Sequence, residues 1–301
     1  MSRHIVRWAA EAVYETPPNF VGRSEGFSRW RCVDETVPGA AHTDFGVIVL
    51  AAGGHVDRHV HSYEESFHIL DGSVVCDTAE GAVRLVAGDY GVLPIGVPHA
   101  WRNVEGGPVR WAHFNNPQPR AAHGGDTYFL PDQFEPGREA QVIDVRDPRN
   151  RSFGHIDPEN MDAAQQTQDR LAVSASMRTA LLVYSGITLK MMVDTDLGAQ
   201  LGTMFMVQYE PGGFAGAHDH PLEEAYLVVD GEVDAIFDGE RYTLRAGDFG
   251  FCGVGCVHEF ANSSETTVRW LETQAPGPPA RHSYRFVRDW TYLESQIQPP
   301  E

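Results

Sequence analysis

Eight residues of this chain form two copies of one metal-ligand pattern. Each copy has a His-x-His pair, a glutamate four residues after the second histidine, and a third histidine 34 residues after the glutamate. Each ligand of the second copy lies 159 residues after its counterpart; the ligands are His59, His61, Glu65 and His99, and then His218, His220, Glu224 and His258. Neutral imidazoles with one carboxylate suit a divalent transition metal. The pattern therefore predicts two metal sites that arose by duplication.

The composition of the ligand set is typical of a catalytic site. With six-coordinate geometry, four protein ligands leave two adjacent positions for water, substrate or dioxygen. A divalent cation and one glutamate together carry a net charge of about +1. We therefore expect a small-molecule substrate that is anionic or chelating.

Strands must carry these ligands. Both halves of the chain consist of short apolar or alternating runs separated by Gly, Asp and Pro, which is typical of antiparallel strands joined by tight turns. Because side chains alternate along a strand, His59 and His61 project to one face, where His99 can join them from a distant strand. The duplication covers residues 53–123 and 212–282 without an insertion, so the repeated unit is a whole domain.

The segment between the two repeats is richer in polar residues and proline. Asp157 could cap a helix there, Pro158 suits a first helical turn, and residues 161–171 are rich in helix formers. We therefore predict an all-β chain with two domains, residues 1–150 and 151–301, and one short linker helix.

The spacing of these residues resembles the two signature motifs of the cupin superfamily. The first copy reads Gly53-x5-His59-x-His61-x3-Glu65-x6-Gly72 and then Gly88-x5-Pro94-x-Gly96-x2-His99-x3-Asn103. The second copy, Gly212 to Gly231 and Gly247 to Asn262, also matches, except that Gly253 stands where the motif has proline. The resemblance implies a bicupin, in which two jelly-roll (double-stranded β-helix) barrels lie in tandem.

Charge and composition argue against several classes of partner. The chain has 301 residues, a formal net charge of −19 and a pI near 5.0, whereas nucleic-acid and anionic-membrane surfaces need basic patches. No apolar run reaches the roughly 18 residues of a membrane span, and we expect a cytoplasmic protein. Four cysteines are too few for a disulfide framework. Cys252 and Cys256 could bind a soft metal or form a disulfide, but we favour two packed thiols.

Strand alternation also predicts what surrounds each metal. Aromatic side chains should face inward beside both ligand sets, where they could stack a planar substrate or simply fill the core: Phe67 and Trp101 in the first copy, Tyr226 and Phe260 in the second. One residue before each ligand glutamate, Glu64 and Glu223 should point outward and make contacts at the rim.

Three ionisable side chains are candidates for proton transfer. On the last strand of each domain, His113 and Glu272 should face inward, and Tyr226 should lie beside the second metal. Each could give or take a proton near a bound substrate; the alternative interpretation is a hydrogen bond at the barrel mouth. We interpret His113, Glu272 and Tyr226 as candidate catalytic residues. The second site, with more ionisable neighbours, is favoured for chemistry.

Three functions fit these features. Resemblance to bicupin dioxygenases implies cleavage of a C–C bond in a small enolic, diol or aromatic substrate, with Fe(II) favoured and Mn(II), Ni(II) or Zn(II) as alternatives. Resemblance to oxalate-decarboxylase-like bicupins and ureidoglycine aminohydrolases implies a redox-neutral decarboxylase or hydrolase instead, although no Ser-Glu-Asn-Ser-like lid follows the first barrel. The third is a metal-binding or small-molecule-binding cupin without turnover, for which lost ligands would be expected. Analogy with cupins also allows a homo-oligomer.

Overall fold

The computed structural model describes residues 2–147, 149–150, 152–162, 184–277 and 285–286. Among these residues, strands form one 11-stranded and one 10-stranded sheet, and the helical segments are short 3₁₀ turns. The 3₁₀ turns are Ala9–Glu11, Pro18–Phe20, Ala121–Asp126 and Pro158–Met161. The predicted all-β class with two jelly-roll barrels is confirmed.

The two compact units of the chain are not two contiguous halves. The N-terminal barrel comprises Glu11–Asp157 and Met192–Thr203; the C-terminal barrel comprises the described parts of Met1–Ala10, Pro158–Met191 and Met204–Glu301. This division differs from 1–150 and 151–301 at residues 1–10, 151–157 and 192–203. Of the linker helix expected at 161–171, the structure shows a 3₁₀ turn at Pro158–Met161; residues 163–171 lie outside the described residues.

The sheet of the N-terminal barrel is built around one long strand, β3. Its strands are β2 (Ser24–Val33), β3 (Asp44–His61), β4 (Glu64–Asp71), β5 (Ser73–Thr78), β6 (Gly81–Val86), β7 (Asp89–Leu93), β8 (His99–Arg102), β9 (Val109–Asn116), β10 (Thr127–Phe129), β11 (Ala140–Gln141) and β12 (Phe153–His155). Their order is β11-β6-β5-β8-β3-β9-β4-β7-β12, with β2 and β10 also paired to β3. The inward faces bury one apolar cluster that includes Phe67, Trp101 and Trp111.

The C-terminal barrel repeats this plan. Its sheet contains β1 (His4–Arg7), β13 (Tyr184–Val193), β14 (Thr203–Asp219), β15 (Glu223–Asp230), β16 (Glu232–Phe237), β17 (Glu240–Arg245), β18 (Phe249–Cys252), β19 (His258–Ala261), β20 (Val268–Ala275) and β21 (Arg285–Phe286). The order is β1-β18-β15-β20-β14-β19-β16-β17, with β13 and β21 also paired to β14. Tyr226, Phe260 and Trp270 belong to its buried apolar cluster.

The glycine that ends each ligand motif is required by the backbone. Gly72 and Gly231 have φ values of 78° and 77°, a region that only glycine adopts at little cost. A Cβ atom would lie 2.7 Å from the carbonyl oxygen of Pro108 in the first barrel and 2.6 Å from that of Thr267 in the second. The tight turn after the ligand strand therefore needs glycine in both copies.

In each barrel, a strand from elsewhere in the chain covers an equivalent edge. β12 pairs with β7 in the N-terminal barrel, and β1 pairs with β18 in the C-terminal barrel. Oδ1 of Asp89 lies 2.6 Å from Nδ1 of His155 on β12. At the equivalent position, Oδ1 of Asp248 accepts a 2.8 Å hydrogen bond from the backbone N–H of Ala9. Covering an edge satisfies backbone groups that would otherwise be open to pairing with another chain.

Candidate metal centres

The structure brings together the four residues of the first ligand set, here called the first centre. His59 and His61 lie on β3, Glu65 on β4, and His99 at the start of β8. One ligand atom from each of these buried side chains lies within 4.8 Å of the others. Ligand atoms on opposite sides of a transition metal are about 4 Å apart, since each bond is roughly 2.1 Å long. The spacing is therefore close to that of a coordination sphere.

Hydrogen bonds at Nδ1 set the tautomer of each histidine. The Nδ1 atoms of His59 and His99 lie 2.6 Å from the Asp57 carbonyl and 2.9 Å from the Val97 carbonyl. A carbonyl only accepts, so both Nδ1 atoms carry the proton. Nδ1 of His61 lies 3.1 Å from Oγ1 of Thr127. That hydroxyl donates to the Gly125 carbonyl and so accepts from His61.

The resulting electron pairs fit a cation. With protons at Nδ1, the Nε2 lone pairs point toward one another and toward Glu65, whose Oε2 lies 2.8 Å from His61 Nε2 and 3.2 Å from His99 Nε2. Nε2 of His99 is buried and makes no hydrogen bond of acceptable geometry. Such a convergence of acceptors is repulsive unless a positive charge lies between them. The first centre therefore fits a divalent metal ion.

Protonation states at the first centre agree with ligation. Burial, with His99 and His61 close by, lowers the pKa of His59 well below its usual range. Burial also lowers the pKa of His61 to about 4, despite the opposing effect of Glu65. Burial alone would raise the pKa of Glu65, but His113, His61 and His99 hold it well below its usual value. Neutral imidazoles and an ionised carboxylate are the forms that bind metal.

The second ligand set forms a similar but not identical centre, here called the second centre. Ligand atoms of His218, His220 and His258 lie within 4.8 Å of one another. Their Nδ1 atoms donate to the carbonyls of Gly216, Leu222 and Cys256 at 2.7, 3.0 and 3.0 Å. All three rings again present Nε2 lone pairs to the centre, so this arrangement also fits a divalent ion.

Glu224 stands beside two of these histidines. Its Oε2 lies 2.9 Å from Nε2 of His220 and 3.2 Å from Nε2 of His258, but it is outside the group that lies within 4.8 Å. Tyr226 donates a hydrogen bond to Oε2, and Gln274 donates one to Oε1 at 2.6 Å. Its assignment as the fourth ligand stays a prediction.

The proton-transfer candidates on the last strand of each barrel lie in different surroundings. Nε2 of His113 is 3.2 Å from Oε1 of Glu65, so it contacts a predicted ligand directly. At the equivalent position, Glu272 is 9% exposed and accepts a 2.9 Å hydrogen bond from Nε1 of Trp270. Burial and the neighbouring Glu224 raise the pKa of Glu272 well above its usual range, which favours the form that carries a proton.

Aromatic rings lie beside both centres, as alternation predicts. The rings of Phe67 and Trp101 meet edge to face at 5.1 Å, and Trp101 lies 6.3 Å from His99. In the second barrel, the rings of Tyr226 and Phe260 are 4.9 Å apart. All four side chains are at most 5% exposed. They line the interior and belong to the packed cores.

Sequence reasoning missed several residues that support the ligands. Thr127 on β10 orients His61, and Tyr63 stacks on His61 with ring centroids 4.2 Å apart. The expectation that Glu64 and Glu223 point outward is wrong, because both are buried. Glu64 accepts the backbone N–H groups of Gln200 and Leu201 at 2.6 and 3.0 Å. Only the register of β10 and the return of residues 192–203 could have revealed these contacts.

Comparison with known proteins agrees with this geometry. The family profile described as "Cupin domain" matches residues 46–115 and, again, residues 205–273. The protein is a bicupin of the cupin superfamily. Both matched regions contain a complete ligand set, and the predicted family is confirmed.

Individual relatives of this bicupin carry different activities. It is 31% identical over 90 residues to "Polyketide synthase CurC" of Streptomyces cyaneus, a match that spans 29% of this chain and 58% of that protein. Oxalate decarboxylase of Lactobacillus farciminis, solved as a formate complex, has a TM-score of 0.60 at 16% identity, covering 97% of this chain and 93% of its own. Salicylate 1,2-dioxygenase of Pseudoaminobacter salicylatoxidans, solved with gentisate, has a TM-score of 0.64 at 13% identity, covering 91% and 81%. At such identities the solved structures establish a common fold only.

Among the residues that the structure describes, no helix is long and apolar enough to cross a membrane.

Proposed function

We propose that this bicupin is a metal-dependent dioxygenase that cleaves a C–C bond in a small enolic, diol or aromatic substrate. The observation that supports the proposal is the convergence of three imidazoles in each buried centre, with a glutamate carboxylate and aromatic rings beside them. Such a site suits a planar substrate with oxygen donors. The shared fold with a salicylate dioxygenase is consistent with this chemistry.

The residues that would hold the metal are those of the two centres. They are His59, His61, Glu65 and His99, and then His218, His220, Glu224 and His258. A divalent ion, Fe(II) by preference, would supply Lewis acidity and one-electron chemistry toward an oxygen-donor substrate; Mn(II), Ni(II) and Zn(II) suit the same donors. The remaining charge of about +1 favours an anionic or chelating substrate.

The protein's own contribution differs between the centres, and we assign the chemistry to the second. There, Tyr226 and Gln274 hold both oxygens of Glu224, which fixes the carboxylate in place. Glu272 offers a buried carboxyl group, oriented by Trp270, that can exchange a proton with substrate. Phe260 and the surrounding core exclude water. The first centre has no carboxyl group at the position of Glu272, because His113 stands there.

One observation favours a second candidate, decarboxylation. Loss of carbon dioxide leaves a carbanion that needs a proton, and the buried Glu272 carboxyl is a group that could donate it. The oxalate decarboxylase of similar fold is consistent with this alternative. The two candidates differ in oxygen consumption, since decarboxylation is redox-neutral.

An experiment with reconstituted protein separates the candidates. Metal-loaded enzyme is tested with catechols, gentisate, β-diketones and flavonols in an oxygen electrode, and with small dicarboxylates while carbon dioxide is measured. We expect stoichiometric oxygen uptake with one of the first group, abolished in His218→Ala and largely kept in His59→Ala. Carbon dioxide release without stoichiometric oxygen uptake would establish the decarboxylase instead. Binding of metal and ligand without turnover would instead indicate a non-catalytic binding cupin.

A further inference from the structure

A third group of metal-ligating side chains lies outside both centres. One ring nitrogen of His4, a carboxylate oxygen of Asp238 and the sulfur of Cys256 lie within 4.8 Å of one another. His4 and Cys256 are 6% and 1% exposed, and the Asp238 side chain is 20% exposed. We call these three residues the N-terminal cluster. They come from three separate segments: β1, the β16–β17 turn and the loop before β19.

We infer that the N-terminal cluster is a third metal site, specific for a thiophilic divalent ion such as Zn²⁺. Imidazole, carboxylate and thiolate are the three donor types that zinc accepts. The first and second centres offer only nitrogen and oxygen, so a sulfur ligand distinguishes the third site from both. This inference does not depend on the proposed function.

Hydrogen bonds give the ring of His4 the tautomer of a ligating histidine. Its Nε2 contacts the hydroxyl of Tyr242 at 2.9 Å, and that hydroxyl donates to Glu240 at 2.7 Å. Since the hydroxyl proton is used, Nε2 of His4 donates to Tyr242, and Nδ1 keeps its lone pair. A ligating imidazole normally donates its other N–H to a polar partner in this way. Ser2 Oγ lies 3.5 Å from Nδ1, but its hydroxyl donates to the His4 carbonyl at 2.9 Å.

Arg3 is the competitor for this site. Its guanidinium binds both oxygens of Asp238, at 2.6 and 2.9 Å, and is half exposed. The Val257 N–H also donates to Oδ1 at 3.0 Å. A metal ion must therefore replace one Arg3 bond and release the Cys256 thiol proton to solvent. Removing the arginine should strengthen metal binding, which is the opposite of what a purely structural ion pair predicts.

A bound ion would fasten the N-terminal strand to the barrel that it completes. His4 lies in β1, which pairs with β18 in the register His4 to Cys252. Asp238 and Cys256 belong to loops of the same barrel. The thiol of Cys252 interacts with that of Cys256. The competing outcome at this place is a Cys252–Cys256 disulfide.

Cobalt substitution tests the site directly. The full chain, without a histidine tag and under reducing conditions, is titrated with Co²⁺, and thiolate-to-cobalt absorption is followed in the near-ultraviolet. Because neither centre contains sulfur, we expect this band only from the N-terminal cluster. It should vanish in Cys256→Ser and His4→Gln, persist in the matched control Cys32→Ser, and appear at several-fold lower cobalt in Arg3→Gln.

Zinc content gives a second measurement that does not depend on the variants folding. Wild-type protein should bind one equivalent more Zn²⁺ than the two centres account for, and the additional equivalent should resist displacement by Mn²⁺. A wild-type titration that saturates both centres without any thiolate band would overturn the inference. So would a Cys252–Cys256 disulfide found by mass spectrometry in protein purified with a reductant.

Discussion

Nε2 of His113 lies 3.2 Å from Oε1 of Glu65, so a histidine on β9 holds the carboxylate of the first centre. In the second barrel the glutamate is held by Gln274, two residues further along the equivalent strand. Asn115, at the position equivalent to Gln274, turns away and donates to Asp44 at 2.8 Å. The two centres therefore share their histidines but differ in the groups that hold the carboxylate.

This difference predicts that metal affinity can be lowered at one centre at a time. His113→Ala should weaken binding at the first centre, and Gln274→Ala at the second, each by roughly 10- to 100-fold, because the ligand carboxylate loses its anchoring donor. Competition with a chromophoric chelator measures both constants in each variant. The untouched centre is the internal control. Equal weakening of both centres by either change would contradict the assignment.

Glu272→Gln should lower turnover without removing metal. The amide keeps the shape of the side chain and can still accept from Trp270, but it cannot give up a proton. We expect kcat to fall by about 100-fold or more, with metal content unchanged by atomic absorption. Glu272→Asp should restore part of the rate. If Glu272→Gln turned over at the wild-type rate, proton transfer would have to be assigned to another residue.

Acid should destabilise the N-terminal barrel in part through His68. Burial lowers the pKa of His68 to about 4, although a hydrogen bond to the backbone of Asp89 acts in the opposite direction. Between that pH and the ordinary value of 6.5, the unfolded chain binds a proton that the folded chain does not. Stability therefore rises with pH across this window and falls on acidification, by about 3 kcal/mol at most from this residue.

The variant His68→Leu isolates that contribution. Leu227 occupies the equivalent position in the second barrel, so the repeated fold already accommodates leucine at this place. Urea unfolding at pH 7 and pH 4.5 should show a smaller loss of stability on acidification in the variant than in the wild type. An identical loss in both proteins would assign the acid sensitivity to other groups.

A duplicated buried asparagine should stabilise each barrel to a similar degree. The side-chain amide of Asn103 donates to Leu50 and Gly107 at 3.1 and 2.8 Å, and that of Asn262 donates to Tyr209 and Thr266 at 3.2 and 2.8 Å. Replacing either residue with alanine leaves two carbonyls without their donor.

Thermal or urea unfolding of Asn103→Ala and Asn262→Ala should show a loss of about 1–3 kcal/mol in each case. Metal affinity should change little, since neither asparagine is a predicted ligand. A large effect in one barrel only would show that the duplication does not extend to this contact.

Local periodicity was sufficient to predict the strands and the clustering of the histidines, whereas the jelly-roll topology was implied by the resemblance to the cupin motifs. Alternation along β3 places His59 and His61 on one face, and an exact repeat at 159 residues extends the argument to the second barrel. The inward position of His113 follows from the same rule. None of these inferences needs knowledge of which strands are neighbours.

Contacts between distant segments could not be predicted in this way. Alternation places Glu64 outward, but residues 192–203 return to the N-terminal barrel and bury it. Thr127 reaches His61 only because β10 pairs with β3 in one particular register. Similarly, the sequence spacing relates Cys256 to Cys252, whereas its proximity to His4 depends on the pairing of β1 with β18. Alternation along one strand shows which side chains share a face, but it does not show which strand is the pairing partner or in which register.

Because β1 completes the C-terminal barrel, the order of synthesis and the order of assembly are reversed for this strand. Arg3 and Asp238, which form an ion pair, are 235 residues apart in the chain. The residues of β1 leave the ribosome well before those of β18, so they cannot pair until β18 has been made, and the barrel edge is uncovered until then. A fusion or cleavage next to β1 should therefore leave the edge of β18 uncovered and cause aggregation there, although β18 lies far away in the sequence.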